Sequence, residues 1–181
     1  MKKIIAASTS TLYKGKYLDY LKPVLEGHFK EVNEILFIPF ARPSGLSHDS
    51  YTMQVAAFFK TMNIHVSGLH TYQEPQQAIQ NAEAIFTGGG NTFLLVKQLH
   101  DLKLMSVLRQ SILDGTPYLG TSAGSNICGL TMQNTNDMPI VYPSSFKTLG
   151  VLPFNINAHY LDPIPNIPHM GETREKRIKE F

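Results

Sequence analysis

The chain has 181 residues, of which 43% are hydrophobic and 17% charged, and this composition is typical of a folded domain rather than a disordered chain. Sixteen Lys and Arg residues against fourteen Asp and Glu leave a formal charge of +2, which is too small to indicate nucleic acid as a partner. A single cysteine excludes an internal disulfide, and no apolar run approaches the roughly 18 residues that a membrane span requires. We therefore expect a cytoplasmic protein without membrane attachment.

Short apolar runs predict five strands, at residues 3–7, 35–40, 64–68, 84–87 and 118–121. Apolar residues at helical spacing predict helices between them, at residues 13–29, 50–62, 92–100 and 105–113. Pro23 predicts a kink or a restart within the first of these helices. Because apolar strands that alternate with helices are buried on both faces, we expect a three-layer, doubly wound α/β fold with a mostly parallel sheet.

The last third of the chain has a different character. After Thr131 the sequence becomes irregular and rich in Asn and Pro, which in an α/β domain is typical of the rim of a site. Residues 172–180 then predict the start of a helix, with Glu and Lys four positions apart. Because that helix stops on the apolar Phe181, we expect residues 1–181 to be one α/β domain whose sequence continues further.

The strongest chemical signal is the G-x-S-x-G motif formed by residues 120–124, which follows a predicted strand and precedes a predicted helix. In such a turn the residues that flank Ser122 must be small, because a larger side chain would meet the backbone. The turn presents the Ser122 hydroxyl at a helix N-terminus, where free N–H groups favour developing negative charge. We therefore interpret Ser122 as a nucleophile; the alternative is a glycine-bracketed turn with a serine cap.

A second signal is the glycine run at residues 88–90, again between a predicted strand and a predicted helix. The N–H of Gly89 or Gly90 could form an oxyanion hole together with the N–H of Ala123. A phosphate-binding nest and a plain tight turn are the alternatives. Because the carboxyl ends of parallel strands share one edge of a sheet, both loops should lie on the side where ligands bind.

A serine nucleophile needs a base, and His159 is the best candidate of seven histidines because it lies in the irregular stretch. His169 is its rival. The third member of a triad would be an acid, and Asp137 lies between the two in the chain order serine, acid, histidine. Asp137 could equally be a turn residue beside a proline.

Six segments, taken together, resemble the dipeptidase E (aspartyl dipeptidase) family of serine peptidases: LFIPFA at 36–41, GGGNTF at 88–93, SAG at 122–124, TNDMPI at 135–140, PFNINAH at 153–159 and GETRE at 171–175. The resemblance implies a fold like that of class I glutamine amidotransferases, with serine in place of their cysteine. It also implies hydrolysis of dipeptides with an N-terminal aspartate, in a reaction that uses neither a metal nor a cofactor.

The same resemblance assigns roles to individual residues. Ser122 is the nucleophile, His159 the base, and Asp137 either the acid that orients His159 or a carboxylate near the substrate amine. The family's alternative acid is a glutamate beyond the end of this sequence. The family usually has Trp directly before the nucleophile, where this chain has Thr121, and this difference would alter one wall of the pocket.

Substrate recognition adds two candidates. A buried substrate carboxylate needs a cation, and Arg174, in one of the shared segments, is the candidate because arginine offers two parallel donors. Asn91, beside the glycines, is the second candidate for substrate contact.

Three other functions stay open at this point. The chain could be a cyanophycinase-like hydrolase of aspartyl polymers, or a non-catalytic amidotransferase-like module. It could also bind FMN through the hydroxyl-rich loop at residues 8–11. We expect a small peptide as partner and a monomer or homodimer as the assembly.

Overall fold

The computed structural model describes residues 1–43, 45–162 and 172–181, and His169 lies outside them. Its sheet has five strands in the order β1-β5-β4-β2-β3, and every pairing between neighbours is parallel. The strands are β1 (Ile4–Ala7), β2 (Glu34–Ile38), β3 (His65–Gly68), β4 (Ala84–Thr87) and β5 (Tyr118–Thr121). The predicted strands are thus confirmed, with differences of one or two residues at three of them.

Helices cover both faces of this sheet. They are α1 (Lys22–His28), α2 (His48–Phe59), α3 (Pro75–Gln80), α4 (Thr92–Asp101), α5 (Met105–Asp114), α6 (Ala123–Asn126) and α7 (Arg174–Glu180). Successive residues of β2 point to opposite faces, so Phe37 packs with α1 and α2 while Leu36 packs with α3, α4 and α5. The predicted three-layer α/β fold is therefore confirmed. In the described part of the chain, no helix is both long and apolar enough to cross a bilayer.

One predicted helix was wrong in part, and one helix was not predicted. The predicted helix 13–29 begins only at Lys22, after a single 3-10 turn at Asp19–Leu21, and Leu18 before it has a left-handed backbone (φ 55°). Pro23 is the reason, since proline fits the first turn of a helix but not its interior. Helix α3 was missed because its six residues bury only Ile79 and show no apolar period.

The order of the strands fixes where a site can form. Strand β5 lies between β1 and β4, so the loops after these three strands meet at one edge of the sheet. This edge is the carboxyl end of all three strands, where open α/β sheets bind their ligands. The loops contain Ser8 after β1, Gly88 to Gly90 after β4, and Ser122 after β5.

Candidate active site

Ser122 alone forms the turn between β5 and α6. Its backbone has φ 52° and ψ −112°, a conformation that costs a residue with a side chain on the order of 1–3 kcal/mol. A Cβ on Gly120 would lie 2.3 Å from Gly124 O, and a Cβ on Gly124 would lie 2.1 Å from Thr87 O. The prediction that only small residues can flank the serine is therefore confirmed.

The Ser122 side chain meets His159. The distance from Ser122 Oγ to His159 Nε2 is 2.8 Å, although the two residues are 37 positions apart. Ser122 is half-buried and His159 is exposed, so the pair is accessible from solvent. A hydroxyl and an imidazole at this distance can exchange a proton directly.

Long-range hydrogen bonds hold the His159 loop in place. The N–H of His159 donates to Ser8 Oγ at 2.7 Å, and the preceding Ala158 donates to the buried Asn126 Oδ1 at 3.1 Å. Asn126 Nδ2 in turn donates to Thr92 Oγ1 (3.0 Å) and Thr135 Oγ1 (3.2 Å). His159 itself has a left-handed backbone (φ 61°), so these bonds maintain a conformation that the chain alone would not favour.

The glycine loop lies directly against the serine. A Cβ on Gly89 would be 3.0 Å from Ser122 Cβ, so a larger residue there would push the nucleophile by a few tenths of an ångström. The N–H of Gly89 donates to the hydroxyl of Tyr51 at 3.0 Å and is therefore engaged inside the protein. Within the described residues, the N–H groups of Gly90 and Ala123 have no hydrogen-bond acceptor. Of the predicted oxyanion donors, these two are thus the ones free to bind a ligand.

Asp137 lies at the N-terminus of α4 and not on His159. Its Oδ2 accepts from the N–H of Thr92 at 2.7 Å. Asn91 caps the same helix, since its Oδ1 accepts from the N–H of Leu94 (3.1 Å) and its Nδ2 donates to Met138 O (2.8 Å). Both side chains therefore hold the glycine loop, α4 and the 135–140 segment together, and the role of Asp137 as the acid stays a prediction.

Arg174 reaches the site from α7. Its guanidinium Nη1 donates to the backbone carbonyl of His159, so this cation lies beside the base even though it is 15 residues away. In residues 1–43, 45–162 and 172–181, no carboxylate hydrogen-bonds to His159. The same residues contain no cluster of three His, Cys, Asp or Glu side chains arranged to hold a metal ion.

Three contributors escaped the sequence analysis: Ser8, Tyr51 and Asn126. Ser8 was read there only as part of an FMN loop, whereas its hydroxyl accepts from His159 N–H. Asn126 follows the motif by two residues, and its amide among the small and apolar residues 123–130 was a signal that could have marked it. Tyr51 lies on the buried face of α2, four positions before Val55 and eight before Phe59, so its spacing is that of an ordinary core residue.

Known proteins resemble the chain over nearly its whole length. The model of peptidase family S51 matches residues 4–181. A "Probable alpha-aspartyl dipeptidase" from Drosophila melanogaster is 43% identical over 183 residues, which cover 99% of this chain and 75% of that protein. A "Peptidase E" from Shewanella amazonensis is 42% identical over 180 residues, with 99% of this chain and 75% of that protein covered.

A solved structure supports the fold independently. The crystal structure of a protein assigned to peptidase E from Listeria monocytogenes superposes with a TM-score of 0.70 at 18% identity. The superposition covers 99% of this chain and 88% of that one. At this identity the likeness concerns the arrangement of helices and strands, which is the three-layer arrangement described above.

Proposed function

The chain belongs to peptidase family S51, and from this membership we propose that it is a serine dipeptidase that hydrolyses dipeptides with an N-terminal aspartate. The observation that carries the proposal is the 2.8 Å contact between Ser122 Oγ and His159 Nε2 at a strained strand-to-helix turn. A strained backbone at one accessible serine, paired with an imidazole, is typical of an activated nucleophile.

In the proposed reaction His159 Nε2 takes the hydroxyl proton of Ser122 while Oγ attacks the peptide carbonyl carbon. The tetrahedral intermediate collapses when the C–N bond breaks, and the same nitrogen returns the proton to the leaving amine. Water then attacks the acyl-enzyme, with His159 again as base, and aspartate is released from Ser122. The N–H groups of Gly90 and Ala123 would stabilise the oxyanion in both steps, because neither donates to another group in the described residues.

Two charged side chains account for the choice of substrate. Asp137 uses one carboxylate oxygen to bind Thr92 N–H, and its other oxygen would accept from the α-ammonium group of the dipeptide. Arg174 lies beside His159 and would bind the aspartyl side chain, whose carboxylate is costly to bury without a cation.

Turnover of Asp-Leu by purified protein tests the proposal. Ser122→Ala should remove turnover and leave the unfolding temperature unchanged, whereas Ser106→Ala, at an exposed serine of α5, should behave as wild type. Hydrolysis that persists in Ser122→Ala would exclude the serine mechanism. A wild-type protein that cleaves a β-Asp-Arg dipeptide but not Asp-Leu would instead indicate an enzyme of aspartyl polymers.

Asp137→Asn separates the two roles considered for that residue. Asparagine can still accept from Thr92 N–H, so the fold should persist. If Asp137 binds the substrate amine, the variant should have a raised KM for Asp-Leu and an unchanged rate of Ser122 labelling by a fluorophosphonate. Orientation of His159 predicts that kcat and the labelling rate fall together.

The setting proposed for this activity is the cytoplasm, with a monomer or homodimer as the active form. Burial raises the pKa of the Cys128 thiol to about 12, so this residue stays an unreactive thiol under reducing conditions. Light scattering of the purified protein distinguishes the two assemblies.

A further inference from the structure

Tyr51 connects helix α2 to the glycine loop of the site. Its hydroxyl accepts the N–H of Gly89 at 3.0 Å and donates to the carbonyl of the same residue at 3.3 Å. The side chain is fully buried, and the two residues are 38 positions apart. One hydroxyl therefore satisfies both backbone polar groups of Gly89, which would otherwise be buried without partners.

The Tyr51 ring has little freedom to move. It packs edge-on against Phe37, with ring centroids 4.9 Å apart, and the Arg42 guanidinium lies 4.4 Å from its centroid. On the glycine side, a Cβ on Gly88 would lie 2.6 Å from the Tyr51 hydroxyl. The hydroxyl is thus held at one position from both sides.

This position determines the direction of the next peptide group. The carbonyl of Gly89 and the N–H of Gly90 belong to one trans peptide and point in opposite directions. Because Tyr51 binds the carbonyl, the Gly90 N–H is directed away from Tyr51. The rest of the loop is fixed as well, since Asn91 N–H donates to Ala41 O at 2.7 Å and a Cβ on Gly90 would lie 2.2 Å from that oxygen.

We propose that Tyr51 is a positioning residue for the oxyanion site, and this inference rests on the proposed function. Its hydroxyl orients the Gly89–Gly90 peptide so that the Gly90 N–H is ready for the developing oxyanion beside Ser122. The short distance from the Gly89 Cβ position to Ser122 Oγ, 3.6 Å, means that a small rotation of this peptide changes the site directly. Tyr51 acts through the backbone and does not touch the substrate.

Tyr51→Phe tests the proposal, with Tyr72→Phe as the matched control. Tyr72 also donates a hydroxyl hydrogen bond, to Ser67 Oγ at 3.1 Å, but lies at an exposed position on the β3 side of the sheet. Direct loss of an oxyanion donor costs about 10²- to 10³-fold in kcat, so its misorientation should cost about 10- to 100-fold. The KM for Asp-Leu should stay within about threefold, because the ground state makes little use of this donor.

The labelling of Ser122 by a fluorophosphonate provides a second readout. In that reaction the Oγ–P bond forms, fluoride leaves, the serine proton passes to His159, and the phosphoryl oxygen occupies the oxyanion site. The labelling rate should fall by the same factor as kcat in Tyr51→Phe and stay unchanged in Tyr72→Phe. Replacement of Tyr51 by 4-aminophenylalanine, which keeps a donor and an acceptor, should restore part of both rates.

These outcomes also separate the inference from the proposed function. If wild type is labelled at Ser122 but does not cleave Asp-Leu, the proposed substrate is wrong, and the labelling rates still test Tyr51. A folded Tyr51→Phe variant with wild-type kcat and labelling overturns the positioning role. If Tyr51→Phe does not fold, the 4-aminophenylalanine variant decides instead. Reductions of kcat and of the labelling rate by the same factor, with the KM unchanged, support the role, whereas a folded variant in which the two rates do not fall together overturns it.

Discussion

Asn126→Leu is the substitution that most directly tests how the fold holds the base. The Asn126 side chain is 4% exposed and makes three hydrogen bonds, to Ala158 N–H, Thr92 Oγ1 and Thr135 Oγ1. Leucine has the same number of side-chain heavy atoms with the same branching, although its methyl groups are bulkier, and it makes none of these bonds. The substitution therefore removes the polar contacts without opening a large cavity.

The expected cost follows from the partners that lose their bonds. Ala158 is also buried, so its N–H is left without an acceptor, which costs about 1–3 kcal/mol. The two threonine hydroxyls already lie 3.3 Å apart and can bond to each other, so they add only about 1 kcal/mol. The sum is about 2–4 kcal/mol, which for a protein of this size lowers the unfolding temperature by about 4 to 16 °C.

The same change should also reduce catalysis, because Ala158 directly precedes His159. A shift of the imidazole by about 1 Å costs up to about 100-fold, so kcat for Asp-Leu should fall by at least about tenfold below the unfolding transition. Gln110→Leu is the control, since it removes one exposed amide hydrogen bond, to Asp114 at 2.8 Å. Calorimetry and steady-state kinetics measure both effects. A loss of stability with unchanged kcat would refute the link between Asn126 and His159.

Three further predictions concern other parts of the chain. Gly124→Ala should prevent folding or reduce stability by several kcal/mol, since its Cβ would lie 2.1 Å from Thr87 O. Gly27→Ala, whose Cβ would have no atom within 4 Å, should instead stabilise α1 by up to about 1 kcal/mol, and urea unfolding compares the two variants. Burial holds the pKa of His28 below its usual value, so the unfolded chain binds the proton more tightly than the folded one. The stability should therefore fall as the pH drops below about 6.5, and His28→Gln should weaken this dependence of the unfolding temperature on pH. Arg174→Met should lower kcat/KM for Asp-Leu by about 10- to 100-fold and for Asn-Leu by much less, and equal losses for both would remove Arg174 from substrate recognition.

The sequence could predict the strands and the nucleophile turn because both are encoded locally. A buried parallel strand is an apolar run, and Ser122 is recognisable because Gly120 and Gly124 leave room for a turn that other residues would block. The resemblance to dipeptidase E rested on the same local segments, and the family match over residues 4–181 agrees with it. His159 was predicted by elimination and from the resemblance, and the structure places it on Ser122.

Hydrogen-bond partners across the sheet could not be predicted in this way. Asp137 shows why. Its position in the sequence suited the acid of a triad and a turn residue equally well, and only the packing of the 135–140 segment against α4 gave it Thr92 N–H as a partner. The first predicted helix failed for a local reason, since the apolar spacing continued through Pro23 while the backbone did not.

The sequence by itself determined the elements and the residue types that can do chemistry, because periodicity and turn geometry involve neighbours a few positions apart. Only the tertiary structure decided that Ser8, Tyr51 and Asn126 support the site, through contacts that span 151, 38 and 32 residues. A polar side chain carries no mark of its distant partner, since only the packing of the folded chain brings the two together.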